Sequence, residues 1–311
     1  MFAPTPIVQT EVFARLPDAF RKAGRCVWGD VNNGGRDTPS FLEGPVFDAA
    51  GNLYVCDIPH GRIFRVDPGD EWTLVVEYDG QPNGLKLHRD GRLFIADYRR
   101  GILACDISTG DVSEVLTARH GEGFKGVNDL YFADNGDLYF TDQGQTGLQD
   151  PTGRVYRFAP SDGGGHGRLD LLLSNVPSPN GLCLNAAQNV LFVAATRGNC
   201  VWRAPIMADG TLSKVGIFIQ MSGGIGPDGL ALDDTDRLVV AHAGLGGAWI
   251  FTRQGIPAAF VTSAAGDFTT NVAFGGPDRQ DLYMVESGSG SILRARLDVP
   301  GRAHFASRNQ E

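Results

Sequence analysis

A unit that recurs six times along the chain constrains the fold more than any other feature of the sequence. Each copy opens with an acidic or amide residue, continues as a short alternating apolar strand, passes a polar turn and enters a second apolar strand. The six copies open at Glu43, Asn83, Asn128, Asn180, Asp228 and Asn271. Successive copies start 40 to 52 residues apart. This spacing is typical of four-stranded propeller blades and is too long for leucine-rich or hexapeptide solenoids.

Apolar side chains alternate within each copy, as at Leu53 and Val55, and turns such as Asp134-Asn135-Gly136 separate the first two strands. This pattern predicts β-hairpins. We expect a third strand in every copy, beginning at Gly61, Gly101, Gly153, Cys200, Gly247 and Ser291. A fainter fourth strand is expected around Thr73, Glu114, Leu169 and Phe218. No stretch longer than residues 16–23 reads as a helix, so we expect a low helix content.

The repeats predict an all-β fold, a six-bladed β-propeller with four-stranded antiparallel blades around a central channel. We expect one domain over residues 1–311, with blades starting near the six opening residues. A strand within residues 8–15, VQTEVFAR, is expected to pair with the last blade. Closing the ring in this way removes the sheet edges that would otherwise promote aggregation.

The composition narrows the choice of partners. A net charge of -9 would repel nucleic acid over the whole surface. No apolar stretch approaches the ~18 residues of a membrane span, and the start of the chain lacks the pattern of a secretion signal, so we expect a cytoplasmic protein without a membrane partner. The five cysteines are odd in number and form no C-x-x-C pair, which argues against disulfides and a zinc-cysteine site.

The six opening residues point to a metal site. The first strand of each blade lines the channel of a propeller, so these residues should converge near its axis. All six carry side-chain oxygens, and gathering Glu43 and Asp228 there would be costly without a cation or a shared proton. Oxygen donors without histidine favour Ca²⁺, Mg²⁺ or Mn²⁺ over Zn²⁺. A turn-forming role is an equal alternative for Asn83 and Asn271.

The second strand of each blade runs back to the same end of the channel. In the six copies this second strand ends, in order, at Asp57, Asp97, Asp142, Ala195, His242 and Glu286. Further polar groups lie on adjoining loops at Arg99, Arg100, Arg197 and Lys125. For the three aspartates, stabilisation of turns is an alternative to substrate contact. His242 has an ordinary pKa suited to a general base, but a spacer or substrate contact is the preferred interpretation.

Four segments together resemble the SMP-30/gluconolactonase/LRE family of six-bladed propellers, from about Glu43 to Leu297. They carry the strings EGP, NDLYF with GDLYFTD, PNGL and GPDGL in this order, at residues 41–47, 126–142, 178–184 and 226–232. The resemblance implies one divalent metal ion held by Glu43, Asn180 and Asp228. Asn128 would be a fourth ligand or a substrate contact. Calcium is the frequent occupant in the family, and Mn, Mg, Zn or Fe are the other candidates.

Family members open aldonolactones and other lactones, which makes a small-molecule lactone the expected substrate. In the hypothesis that follows, the metal polarises the carbonyl, water attacks, and the catalytic residues are Asp228, as proton acceptor, and Glu43. Expected substrate contacts are Asn128, Lys125, Asp142, His242 and Asn271. The alternatives are phosphotriester hydrolysis on the same metal and a ligand-binding propeller with a structural metal. A monomer or a small homo-oligomer is expected.

Two features depart from the family pattern. Some lactonases of the family have an arginine two residues before the Asn of the ND pair, whereas this chain has Gly126 next to Lys125. The segment GDVNNGGRDTPSF, which precedes Glu43, is also long. These differences bear on the identity of the substrate more than on the metal site.

Overall fold

Six antiparallel sheets, one for each copy of the repeat, are arranged as the blades of a propeller in the computed structural model, which describes residues 4–161 and 167–307. Two strands, β1 (Ile7–Gln9) and β2 (Glu11–Arg15), precede the first repeat. The predicted six-bladed, nearly all-β fold is confirmed.

The first three blades follow one another along the chain. Blade 1 contains β3 (Leu42–Phe47), β4 (Leu53–Asp57), β5 (Arg62–Val66) and β6 (Trp72–Glu77). Blade 2 contains β7 (Pro82–Leu87), β8 (Leu93–Asp97), β9 (Gly101–Cys105) and β10 (Val112–Leu116). A short hairpin of β11 (Ala118–Arg119) and β12 (Glu122–Gly123) leads to the next blade. Blade 3 contains β13 (Val127–Phe132), β14 (Leu138–Asp142), β15 (Gly153–Ala159) and β16 (Arg168–Val176).

The other three blades complete the ring. Blade 4 contains β17 (Pro179–Leu184), β18 (Val190–Ala195), β19 (Cys200–Pro205) and β20 (Gly216–Gln220). Blade 5 contains β21 (Gly226–Leu232), β22 (Leu238–Ala243), β23 (Gly247–Phe251) and β24 (Pro257–Thr262). Blade 6 contains β25 (Thr269–Gly275), β26 (Asp281–Glu286) and β27 (Ser291–Arg296), and it takes its outer strand from the start of the chain.

That outer strand is β2, which pairs antiparallel with β27 from Glu11 opposite Arg294 to Arg15 opposite Ser291. The Arg294 guanidinium also forms an ion pair with Glu11 at 2.5 Å. The preceding strand, β1, adds a fifth strand to blade 5 by pairing parallel with β24. Segments far apart in sequence therefore hold the ring closed.

Helices are few and short. The stretch expected to be the longest helical segment contains a 3-10 helix at Asp18–Phe20, and two further 3-10 helices lie at Ile58–His60 and Thr196–Gly198. The α-helix α1 (Val27–Asn32) lies further along and overlaps the start of the long segment of residues 29–41. Across residues 4–161 and 167–307, no helix combines the length and the apolar character needed to cross a membrane.

A layer of apolar side chains fills the space between each pair of neighbouring blades, giving six layers in all. The layer that joins blade 6 to blade 1 contains Leu53, Val55, Val285 and Ile292, all fully buried. These are the residues that alternate in the sequence, because alternate positions of a strand face the same neighbour. Burying a side chain of this size contributes about 1.5–3 kcal/mol to folding.

The inner strands approach one another closely at the axis. A Cβ atom on Gly44 would lie 2.2 Å from the carbonyl oxygen of Asn83, and one on Gly229 would lie 2.1 Å from Asn271 Oδ1. Only glycine fits at such contacts, which accounts for the glycine that follows the opening residue in four of the six copies. The opening residues of neighbouring blades are thereby brought together.

The segment of residues 301–306 crosses the opposite end of the channel. The amide of Arg302 donates to the carbonyl of Leu232 at 2.8 Å, and Phe305 stacks on Phe132 with ring centroids 5.0 Å apart. The Arg89 guanidinium lies 4.0 Å from the centre of the Phe305 ring. These contacts lie at the far ends of the inner strands, so the segment covers the channel at the end away from Glu43.

Candidate metal and substrate site

A cavity of about 290 Å³ lies at the end of the channel where the inner strands begin. Five of the six opening residues contribute to its wall, namely Glu43, Asn83, Asn128, Asn180 and Asp228. Glu43, Asn128, Asn180 and Asp228 are nonetheless almost completely buried. Four blades therefore present the oxygen-bearing side chains of the predicted metal site to one enclosed space.

The sixth opening residue, Asn271, lies against Glu43. Its Nδ2 donates to Glu43 Oε2 at 2.8 Å, and its Oδ1 accepts from the amide of Val272 at 2.8 Å. The amide of Gly44 donates to the same Glu43 oxygen at 2.6 Å. These two donors fix the Glu43 carboxylate, so the structure gives Asn271 a positioning role.

Burial makes the two buried acidic groups of the wall, Glu43 and Asp228, difficult to ionise. It raises the pKa of Glu43 to about 7, an increase that hydrogen bonds from Gly44 and Asn271 limit and the nearby Asp129 charge reinforces. Burial also raises the pKa of Asp228 well above its ordinary value, and the charges of Glu43 and Asp129 act in the same direction. A bound cation would favour the ionised form of both groups.

Asn128 supplies the sharpest indication of a ligand-binding site. Its Nδ2 donates to Gln143 Oε1 at 3.1 Å, and Gln143 Nε2 donates to Ser178 Oγ at 2.9 Å. Asn128 Oδ1 is buried and has no hydrogen-bond donor among the described residues. A buried carbonyl oxygen left in this state is costly, and a cation is one of the partners that would satisfy it.

The donor chemistry fits a hard divalent cation. In the described part of the chain, no group of three His, Cys, Asp or Glu side chains is placed to hold a metal ion. The candidate donors are instead two carboxylates and two carboxamides, from Glu43, Asp228, Asn128 and Asn180. Carboxylate and carboxamide oxygens are ligands that Ca²⁺ accepts, with water completing the coordination.

The aspartates that end the second strands of blades 1, 2 and 3 form hydrogen bonds with the main chain. Asp57, Asp97 and Asp142 accept hydrogen bonds from the amides of residues 41, 81 and 126, at 2.7 to 2.8 Å. Each contact joins the end of a second strand to the segment that enters the first strand of the same blade. These contacts support the turn-stabilising alternative for all three aspartates, including Asp142, which was predicted to contact substrate.

Among the described residues that line the cavity, Asn128 is the one member of the predicted substrate-contact set. Lys125 Nζ donates to Thr152 Oγ1, on the loop before β15. His242 is fully buried, and its Nε2 lies 3.0 Å from the carbonyl oxygen of Gly223. Burial lowers the pKa of His242, which favours the neutral ring. Substrate contacts by Lys125, Asp142, His242 and Asn271 stay predictions.

An aromatic wall, formed by Trp28, Phe41 and Phe268, was not predicted. Trp28 packs on Phe41 with ring centroids 4.6 Å apart, and Phe41 packs on Phe268 at 5.6 Å. All three line the cavity. The long segment of residues 29–41 was the available signal, because Phe41 ends it and Trp28 immediately precedes it.

Tyr98 also lines the cavity and occupies the space beside Gly126. A Cβ atom on Gly126 would lie 2.4 Å from the Tyr98 ring. The departure from the family pattern at Gly126 is therefore matched by an aromatic side chain from blade 2, and no larger residue fits there without displacing it.

A second cavity of about 410 Å³ adjoins the first along the loop of residues 143–149. Four residues line both spaces, namely Asn32, Gln143, Ser178 and Arg197. Gln145 Nε2 donates to Tyr98 Oη at 2.9 Å and to Asn32 Oδ1 at 3.3 Å. The site therefore has an aromatic side near Trp28 and a polar extension near Arg197.

Comparison with known proteins identifies the family. Residues 41–288 match the model of the SMP-30/gluconolactonase/LRE-like region. The chain is 30% identical over 274 residues to the protein named lactonase drp35 of Staphylococcus aureus strain MW2, a match that covers 81% of each chain. This chain belongs to the SMP-30/gluconolactonase/LRE-like family, as the four sequence segments indicated.

Solved structures share the fold. The calcium-binding protein regucalcin of Agrobacterium tumefaciens aligns with a TM-score of 0.75 at 21% identity, covering 97% of this chain and 98% of that one. A gluconolactonase of Xanthomonas campestris aligns with a TM-score of 0.73 at 19% identity, covering 96% and 98%. At these identities the likeness establishes the propeller architecture.

Proposed function

We propose that this chain hydrolyses a lactone, a sugar lactone or a related compound, to the hydroxy acid with the aid of one divalent cation. Glu43, Asn128, Asn180 and Asp228 would hold the cation, and Ca²⁺ is the ion that their oxygens favour. The observation that carries this proposal is the buried Oδ1 of Asn128, which has no donor among residues 4–161 and 167–307 and lies on the wall that also bears two buried carboxylates. The relatives named lactonase support the same reaction class.

The proposed chemistry is the attack of water on the lactone carbonyl. When bound, a divalent cation supplies a Lewis acid that stabilises negative charge developing on a carbonyl oxygen. Asp228 is the proposed acceptor for the proton of the attacking water. Glu43 is less suited to that role because two donors already engage its Oε2. Asn271 and Gln143 keep the side chains of Glu43 and Asn128 in position.

The decisive assay is proton release from a panel of γ- and δ-lactones, measured on chelator-stripped protein before and after Ca²⁺ or Mn²⁺ is restored. Metal-dependent opening of lactones is the expected result. Equal rates in stripped and restored protein would reject the role of the metal. A paraoxon-like phosphotriester is assayed in parallel, and its cleavage without any lactone opening would reject lactone hydrolysis.

A further inference from the structure

Arg197 stands between the two cavities of the site and lines both of them. It is the cationic side chain of these walls; no other Lys, Arg or His among the described residues lines either space. Its side chain is exposed, whereas the neighbouring Thr196 is buried. A single positive charge thus lies at the passage from the proposed metal site to its polar extension.

The main chain beneath Arg197 is firmly held. The amide of Thr196 donates to the carbonyl of Ser178 at 3.0 Å, and its Oγ1 donates to the carbonyl of Pro227 at 2.7 Å. A Cβ atom on Gly226 would lie 2.1 Å from the carbonyl oxygen of Thr196, so these two segments of the main chain are in close contact. The position from which the Arg197 guanidinium extends is therefore fixed between blades 4 and 5.

The corresponding turn of blade 2 carries two arginines, and each forms an ion pair with an acidic side chain of the protein. Arg99 forms an ion pair with Asp79 at 2.5 Å, and Arg100 forms one with Glu114 at 3.1 Å. Within the described residues, Arg197 has no hydrogen bond and no ion pair. Its guanidinium keeps its donors available to a ligand in the cavity, and the planar arrangement of these donors matches a carboxylate.

Three acidic groups share the wall of the first cavity with Arg197, namely Asp37, Glu43 and Asp228. Asp37 Oδ1 accepts from the amide of Gly24 at 2.7 Å. Glu43 and Asp228 are the carboxylates assigned to the cation. None of the three forms an ion pair with Arg197, although the Arg197 charge acts to lower the pKa of Asp228. The donors of the guanidinium are therefore not engaged by these groups and are available to an external anion.

We propose that Arg197 binds a carboxylate carried by the substrate away from its ring ester, so that the enzyme is selective for acidic lactones. This inference rests on the proposed lactone hydrolysis. The second cavity gives such a substituent room beyond the lactone ring. The negative net charge of the protein would repel an acidic substrate, and a local cation in the site offsets that repulsion.

The test compares two γ-lactones that differ in one group, a carboxymethyl substituent or its neutral carboxamide. Rates are measured on metal-loaded wild-type protein, Arg197→Gln, Arg197→Lys and the control Arg99→Gln, which removes a charge from an equivalent turn outside the cavity. We expect Arg197→Gln to lower kcat/KM for the acid, relative to that for the amide, by about 10- to 100-fold, mainly through KM. For the acid, kcat/KM of Arg197→Lys should lie between the values of Arg197→Gln and the wild type. Arg99→Gln should have the wild-type kcat/KM for both lactones.

A binding measurement completes the test without turnover. The ring-opened hydroxy dicarboxylate is titrated into wild-type and Arg197→Gln protein by calorimetry, and weaker binding by the variant is expected. Equal loss of activity on both lactones, or unchanged binding of the dicarboxylate, would overturn the role of Arg197 while lactone hydrolysis stands. If neither lactone is opened but the dicarboxylate binds through Arg197, the proposed reaction fails and the anion site remains.

Discussion

Asn128 donates to Gln143 across 3.1 Å, whereas the other polar atom of its side chain, Oδ1, is buried and has no donor in the part of the chain that the structure describes. Gln143 is itself tied to Ser178 at 2.9 Å. The chain of contacts joins the inner strand of blade 3 to the entrance of blade 4. The amide of Asn128 is thus engaged by the protein, and its oxygen is available to the proposed cation.

Replacing Gln143 with alanine should weaken Ca²⁺ binding by roughly 10- to 100-fold while the propeller stays folded, because partners behind a metal ligand orient it. Calorimetric titration of Ca²⁺ measures the affinity, and circular dichroism checks the fold. Gln145→Ala is the matched control, since Gln145 contacts Asn32 and Tyr98 instead of Asn128. Wild-type affinity in Gln143→Ala would show that the contact does not position a ligand.

Neutral replacements of the carboxylates, Glu43→Gln and Asp228→Asn, should each reduce kcat/KM at least about 100-fold. Ca²⁺ should no longer raise the Tm of either variant, because a ligand stabilises only the state that binds it. The metal-free variants should melt no lower than the metal-free wild type, since a buried charge has been removed.

Glu286→Gln provides the control for these two variants. Glu286 is buried and accepts hydrogen bonds from the amides of Phe268 and Gly288 at 3.1 Å, but it does not line either cavity. Its replacement should lower Tm and preserve the response to Ca²⁺. A full Ca²⁺ response in Glu43→Gln and Asp228→Asn would place the ion elsewhere.

Ca²⁺ affinity should rise with pH between 5.5 and 8. The pKa of Glu43 is raised to about 7 and that of Asp228 is raised well above its ordinary value, so protons compete with the cation. Affinity should therefore increase roughly tenfold per pH unit for each proton released, and level off above the pKa values. Titration in buffers of different ionisation enthalpy counts the protons, and a flat affinity would contradict the assignment.

The raised pKa of Glu43 also determines how the stability of the folded protein changes with pH. A carboxyl whose pKa is raised by folding binds its proton more tightly in the folded protein. Glu43 therefore contributes stability at low pH that is lost as pH rises from its ordinary value of 4.5 towards about 7. The increase in Tm caused by saturating Ca²⁺ should accordingly be larger at pH 8 than at pH 6, as differential scanning calorimetry can measure.

The buried pair of Arg62 and Asp57 should make a large contribution to stability. Both side chains are almost fully buried, and the guanidinium donates to Asp57 Oδ2. Arg62→Met leaves the carboxyl without its cation and should lower the free energy of unfolding by about 3–5 kcal/mol in urea denaturation. Asp57→Asn combined with Arg62→Met should recover part of this loss, and an additive double variant would contradict the coupling.

The blade pattern could be predicted because strand residues facing a neighbouring blade must alternate. Five of the six expected third-strand starts coincide with the observed ones, and β5 begins at Arg62, one residue after the expected Gly61. The outer strand β24 was missed. Its sequence, PAAFVT, is partly exposed and begins with proline, so it lacks the alternation that marks inner strands.

The oxygen donors of the candidate site were predictable for the same reason, since each opens a repeat. Side-chain partners outside the repeats were not. The position of Lys125 on a loop does not reveal that its ammonium group meets Thr152, and Arg197 was noted only as one of several basic loop residues. Which arginine remains unpaired depends on contacts between segments, such as Arg99 with Asp79, that no local pattern specifies.

Blade 6 can be finished only after β27 has been synthesised, because β2, made much earlier, must wait for β27. Until then, an emerging chain presents the apolar face of blade 1 without its neighbour. We therefore expect the blades to form an open arc first and the ring to close late. The edge of β27 is the last strand edge to be paired. Unpaired strand edges promote aggregation, so the unclosed ring should be the state of this protein that aggregates most readily.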